Sequence, residues 1–396
     1  MCAVSTQTVA IVGSGIFGVT AAIALQQRGY AVSLFDPGPL PHPLAESTDI
    51  SKAIRMDYGP DEEYMALMET ALEGWRRWNA AWPAPLYHEI GMALLSQAPM
   101  APGGFEYESY QLLMKRGHRP ERLSAADIRC RFPAWNADLY PDGYFNPEAG
   151  YAESGKVVTQ LIQEAQRLGV KLFEGQKFAR LAEKGSRVAG IINREGEVFA
   201  ADWVVVAAGS WTPHALPYLA GHLRSTGQPV FHLKPADPSP YQHERFPVFA
   251  ADVSNTGYYG FPANREGVVK IANHGPGRQM HPESPERGVT PDEEAHLREF
   301  LRGAFPGLAD APIVYTHTCL YCDTWDGHLW IARDPQREGL VIATGGSGHA
   351  FKFAPVLGDL IADALEGAPN PSLPKFRWRP EVRPPRIEEA ARHQEY

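Results

Sequence analysis

The hydrophobic pattern divides the chain into buried-strand runs, amphipathic helices and proline- or glycine-rich connections. Residues 9–12 are fully apolar, as in a strand covered on both faces. Helix formers continue over 16–28 to a stop at Gly29, and a second apolar run at 31–35 ends on Asp36. Over 61–82, Tyr64, Leu67, Met68, Ala71, Leu72, Trp75 and Trp78 recur at helical spacing, an aromatic stripe suited to a core. Ser154 is placed to cap a helix through Leu168, which Gly169 stops. Strands are predicted at 170–173, 188–192, 203–207, 247–250, 257–261, 268–272, 313–318 and 340–343. One helix interrupts the later strands, opened by Thr290-Pro291-Asp292-Glu293, and residues 355–365 form a closing helix. Residues 86–151 hold short apolar runs among prolines and glycines, without evident chemistry; Cys130 there reads as a small buried side chain.

Between the first strand and helix stands Gly13-Ser14-Gly15-Ile16-Phe17-Gly18, a G-x-G-x-x-G run. Each part has a use in holding a dinucleotide. Gly13 permits the tight turn, Gly15 lets the backbone approach a pyrophosphate, and Gly18 packs helix against strand. From Ile16 onward the helix offers N-terminal amides and a positive dipole end to phosphates. Asp36 is placed to accept hydrogen bonds from ribose hydroxyls, which disfavours NADP. The motif does not separate FAD from NAD. The apolar strand at 203–207 runs into Ala208-Gly209-Ser210-Trp211-Thr212-Pro213, a return to the cofactor that tips the choice toward FAD.

At 396 residues the chain exceeds what one core usually supports, and two domains are expected. The expected fold is α/β plus α+β: a Rossmann-type FAD-binding domain with an inserted, mainly antiparallel β-sheet substrate domain. Residues 1–85, 150–215 and 318–370 are assigned to the first and 86–149 and 216–317 to the second, leaving 371–396 as a surface-bound or partly disordered tail. A net charge of −9 argues against nucleic acid and anionic membrane as partners, and any anionic substrate must be drawn by a local basic cluster. Residues 9–25 lack the basic start and cleavage site of a signal peptide, no stretch is long enough to span a bilayer, and four cysteines are too few for a disulfide framework. The expectation is a soluble, cytoplasmic, monomeric protein with reduced thiols.

Other residues are ambiguous by themselves. Lys52 and Arg55 are either a solvated pair or, on a helical turn, two cations on one face. Lys270, among Val268, Val269 and Ile271, either faces outward from a half-exposed sheet or is buried beside a negative partner. Cys319 and Cys322 form a single C-x-x-C, without the second pair or the spaced histidines that zinc would need, so no metal is expected.

With Thr318-Cys319-Leu320-Tyr321-Cys322-Asp323-Thr324-Trp325-Asp326-Gly327-His328 and Thr344-Gly345-Gly346-Ser347-Gly348-His349-Ala350-Phe351-Lys352-Phe353, nearly the whole chain resembles the amine-oxidising branch of the D-amino acid oxidase superfamily. The similarity is to the monomeric sarcosine oxidase and N-methyl amino acid oxidase family, with some likeness to fructosyl amino acid oxidases. That resemblance implies oxidation of the C–N bond of a secondary amino acid (sarcosine-like N-methyl or cyclic) to an imine, with O2 reduced to H2O2; the alternatives are a deglycating fructosyl amino acid oxidase or a flavin dehydrogenase using another electron acceptor. It makes Cys319 the covalent attachment to FAD, with Cys322 as runner-up. Arg55 and Lys352 become a clamp on the substrate carboxylate; Tyr259, Tyr321 and His274 line the substrate pocket, although His274 is nearly as well read as a core or surface histidine. Lys270 becomes the lysine that promotes reaction of reduced flavin with O2. Ser51, Lys52, Gly209, Gly346, Gly348 and Lys352 join the cofactor set. Lys52 stands where sarcosine oxidases usually carry arginine and is closer to the fructosyl amino acid oxidases.

Overall fold

The computed structural model describes residues 6–379. Its first layer is a six-stranded sheet in the order Trp330–Arg333, Leu340–Thr344, Trp203–Val206, Thr8–Val12, Ala31–Asp36, Lys171–Glu174. All neighbours run parallel except Trp330–Arg333, which lies antiparallel at the edge. The central strands are apolar on both faces because helices pack against them. Ile16–Gln27 lies against Ser154–Arg167 and Ala354–Glu366. Glu62–Ala81 is N-capped by Asp61, which accepts from the Tyr64 amide at 3.0 Å, and buries Tyr64, Met68, Leu72 and Trp75 as its stripe requires.

The second large sheet has nine strands and is mainly antiparallel. Its one parallel pairing joins Val248–Ala251 to Met92–Ser96, bringing the segment of short apolar runs into the sheet interior. At its other end Leu223–Leu233 pairs along most of its length with Ile313–Thr324. This long strand continues through residue 318 and carries both Cys319 and Cys322 toward the first sheet. The expected α/β plus α+β architecture is therefore present, with the chain passing repeatedly between the two sheets.

Four details differ from the sequence reading. Lys52–Ile54 is a short strand paired with Gly150–Ala152, where a helical turn was considered. Ser154 is the first helical residue and not the cap; its hydroxyl donates to the Asp49 carbonyl at 2.9 Å, which ties the loop before Lys52 to this helix. Cys130 is exposed, because the seven-residue helix Ala125–Arg131 turns Ile128 inward instead. In the tail, Leu373–Phe376 forms a helical turn with Phe376 buried, and residues 380–396 lie outside the described residues. Among the described residues, no helix is long and apolar enough to cross a membrane.

Candidate active site

A cleft of ≈ 430 Å³ opens along the C-terminal edge of the parallel sheet. Gly13, Gly15, Ile16, Asp36, Lys52, Gly209, Gly346 and Gly348 all line it. In the fingerprint, Gly13 and Gly18 are required by space. A Cβ on Gly13, at φ +99°, would stand 2.5 Å from the Ala207 carbonyl oxygen, and one on Gly18 would stand 1.7 Å from that of Gly13. Gly15 precedes the helix and leaves its first turn open to the cleft. Asp36 is fixed there: its Oδ2 accepts from the Ser14 amide at 2.9 Å and from the Ser14 hydroxyl at 2.8 Å. Ser51 Oγ is buried without a protein hydrogen-bond partner. A glycine cradle and a positioned carboxylate fit a dinucleotide such as FAD, whereas Ser51 is not among the residues that line the cleft.

A second, smaller cavity of ≈ 70 Å³ adjoins the first. Lys52, Gly348 and Phe351 line both. Its remaining wall includes Arg55, Lys352, Tyr259 and His274, with Met92, Leu94, Phe105, Ala250 and Val253 as an apolar lining. The two cations converge on Tyr58. Arg55 lies 5.5 Å and Lys352 Nζ 4.5 Å from the centre of its ring, and Lys352 donates to its hydroxyl at 3.0 Å. Arg55 also donates to the Asp57 carbonyl. The Lys352 backbone is held by Trp75, whose indole N–H donates to the Lys352 carbonyl at 2.7 Å. Burial pushes the Tyr259 phenol up to about 12, so it is protonated at neutral pH. Tyr321 stands against His274, its hydroxyl 3.3 Å from Nδ1, and its ring fills the space where a Gly348 side chain would go.

The turn that delivers Lys352 is built on positive φ angles at Gly345, Ser347 and Gly348. Ser347 holds this strained conformation because its amide donates to the Cys322 carbonyl at 3.0 Å, docking the turn on the long strand.

Lys270 is buried, 1% exposed, and points to the loop before Lys52. Its ammonium donates to Asp49 Oδ2 at 2.5 Å and to the Ser51 carbonyl at 2.6 Å. Of the two readings open to it, the buried one with a negative partner is realised. Burial lowers the Lys270 pKa, against the opposing pull of Asp49. Burial would raise Asp49, yet Lys270 and Lys52 hold it well below the usual carboxylate range. His232 and His317 flank Asp49 at 3.9 and 3.7 Å, and burial pushes both down to about 4.

The cysteines separate cleanly. Three positions apart on one strand, they face opposite sides. Cys322 packs with Val12, Val206 and Trp330 and lines the cleft; burial pushes its thiol up to about 12. Cys319 packs with Val230, Ala272 and Tyr321, and its Sγ lies 3.6 Å from Lys52 Nζ. Burial raises this thiol too, while the Lys52 ammonium pulls the other way.

Asp49, His232, His317, Tyr58 and His349 were given no role by sequence reasoning. The signal for Asp49 was indirect: a lysine in an apolar strand demands an acid, but the acid lies 221 positions away. Met92, Leu94 and Phe105 come from the segment that showed no chemistry, because wall residues carry only apolar side chains.

A dinucleotide cleft sharing a wall with a cation-lined pocket suits an enzyme whose cofactor meets an anionic substrate. Residues 8–364 match the family of FAD dependent oxidoreductases, and the chain belongs to that family. It is 27% identical to the monomeric sarcosine oxidase of Bacillus sp. (strain B-0618), over 91% of this chain and 92% of that protein. It is 29% identical to the N-methyl-L-tryptophan oxidase of Salmonella arizonae, over 93% and 97%. Among solved structures it resembles the deglycating fructosamine oxidase of Aspergillus fumigatus (Amadoriase II), with TM-score 0.84, 26% identity, and 96% and 91% of the two chains covered.

Proposed function

We propose that this FAD-dependent oxidoreductase oxidises the C–N bond of a small secondary amino acid to an imine, with O2 as acceptor and FAD tethered through Cys319. The observation that carries this reading is the wall shared by the cleft and the cation-lined pocket at Lys52, Gly348 and Phe351. FAD, when bound, supplies the two-electron acceptor. The net reaction, amine plus O2 giving imine plus H2O2, balances without a further reductant.

The residues divide this work. Arg55 and Lys352 bind the carboxylate and so orient the amine and its neighbouring carbon, a contribution on the order of several kcal/mol. Both cations, with Lys52, disfavour a protonated amine and favour the neutral form that can be oxidised. Phe105, Met92, Leu94 and Val253 exclude water from the amine. Lys270 supplies a fixed positive charge for the anionic products of O2 reduction. Cys319 is the more suitable thiol for attachment because an ammonium faces it, which favours thiolate.

A second reading, a deglycating oxidase acting on fructosyl amino acids, is favoured by Lys52 and by the likeness to Amadoriase II. The small pocket volume supports the compact substrate instead. Turnover of sarcosine, L-pipecolate, N-methyl-L-tryptophan and fructosyl-glycine, followed by H2O2 release, separates these. The proposal expects a secondary amino acid to lead; fructosyl-glycine leading selects the second reading, and no turnover of any overturns both.

A further inference from the structure

The contact chain behind Lys352 has a direction that the hydrogen-bond chemistry fixes. His349 Nε2 lies 2.8 Å from the carbonyl oxygen of Gly327. A carbonyl only accepts, so Nε2 carries the proton. In a neutral imidazole Nδ1 is then an acceptor, and its partner at 2.9 Å is the Tyr58 hydroxyl. Tyr58 must therefore donate to His349, which turns its oxygen lone pairs toward Lys352 Nζ, 3.0 Å away. The phenol is itself immobilised: its ring stacks on Tyr64 at 4.8 Å and 15°, and His349 stands edge-on to Tyr64 at 5.3 Å. The members come from the loop after Thr324, the glycine turn and the segment before the long helix, and His349 and Lys352 line the pocket.

We propose that Tyr58 and His349 are positioning residues for Lys352: a one-way hydrogen-bond chain from the Gly327 carbonyl aims the ammonium at the substrate carboxylate. The inference rests on the carboxylate-clamp reading of Lys352 given above. A lysine has four rotatable bonds and a symmetric head, so it needs an external acceptor to occupy one geometry. Tyr58 provides that acceptor while its ring face, 4.5 Å from Nζ, holds the charge by a cation–π contact. His349 keeps the phenol proton pointing away from the ammonium. The other tautomer, with the proton on Nδ1, would leave the Gly327 carbonyl without its donor and reverse the phenol.

The test uses the flavin-loaded protein and acetate as a carboxylate probe, with binding read from the visible flavin spectrum in wild type, Tyr58→Phe, Lys352→Met and the double variant. Tyr58→Phe removes only the hydroxyl and keeps the ring stack. It should weaken acetate by about tenfold, the loss expected for one hydrogen bond to a charged group. With a carboxylate-bearing substrate, KM should rise by a similar factor while kcat changes little. In the double variant the Tyr58→Phe effect should vanish, because its target is gone. Additive effects would overturn the chain while leaving the clamp intact. If Lys352→Met itself leaves acetate binding unchanged, the clamp falls and the chain with it. Nitrogen-15 NMR of labelled histidine, with the His349 signal identified by His349→Asn, should find the Nε2–H tautomer; the Nδ1–H form contradicts the proposal independently of activity.

Discussion

Lys270 illustrates what one residue must bring with it. Desolvating an ammonium and a carboxylate together costs several kcal/mol per ion, and their attraction returns that only with good geometry. The Lys270–Asp49 pair, at 2.5 Å with the Ser51 carbonyl as a further acceptor, has that geometry, but a well-packed apolar pair would serve stability equally well. A buried charge that adds nothing to stability is free to serve the chemistry. Lys270→Met should slow reaction with O2 by at least about a hundredfold while leaving flavin reduction by substrate largely intact. The same change strands Asp49 and should cost about 3 kcal/mol in urea unfolding, most of it recovered in Lys270→Met/Asp49→Leu. If air reoxidation is unaffected, the role assigned to Lys270 is wrong. At the same scale, Cys319→Ala should release yellow colour from acid-denatured protein, whereas Cys322→Ala should keep it. The reverse pattern would move the attachment to the cleft-lining thiol.

Elements differ in how plainly the sequence announces them. The first strand, helix and second strand were legible because burial on both faces and helical spacing leave simple periodic marks. Lys52–Ile54 was not, because a three-residue strand has no period and is held by its pairing with Gly150–Ala152. The candidate site follows the same division. Glycines, cysteines and cations announce themselves by residue type; Met92, Leu94 and Phe105 do not, and Asp49 becomes significant only once Lys270 lies beside it. The turn at 345–348 was visible as a glycine run, but its need for Gly345 and Gly348 is spatial. At Gly348 a Cβ would meet the Tyr321 ring at 2.3 Å in a backbone at φ +76°. Gly348→Ala should therefore cost about 2–3 kcal/mol and weaken carboxylate binding. Gly29, at φ +91° with nothing within 4 Å, tests the backbone term alone, and Gly29→Ala should cost about 1 kcal/mol without touching binding. Equal effects on binding would show that the turn is not what shapes the pocket.

At the scale of the whole molecule, a buried charge cluster ties the loop after the first βαβ unit, through Asp49, to the antiparallel sheet, through Lys270, His232 and His317. His232 and His317 are pushed down to about 4 by burial from the ordinary 6.5. Between these values the unfolded chain binds more protons than the folded one, so stability present above pH 6.5 is lost as pH falls toward 4. Full protonation amounts to roughly 3 kcal/mol per ring. Urea midpoints at pH 7 and pH 4.5 should show this loss, and His232→Gln/His317→Gln should flatten it. An unchanged slope in that variant would place the acid sensitivity elsewhere.

The two cavities meet at Lys52, Gly348 and Phe351, and the proposed chemistry must occur across that wall. Anaerobic bleaching of the flavin by secondary amino acids measures it most directly, in wild type and in Arg55→Met/Lys352→Met that still carries flavin. The wild type should be bleached by at least one carboxylate-bearing secondary amine, and the variant at least about a hundredfold more slowly. A wild-type flavin that stays yellow across the whole panel, or a variant that bleaches as fast as wild type, would contradict the proposed chemistry.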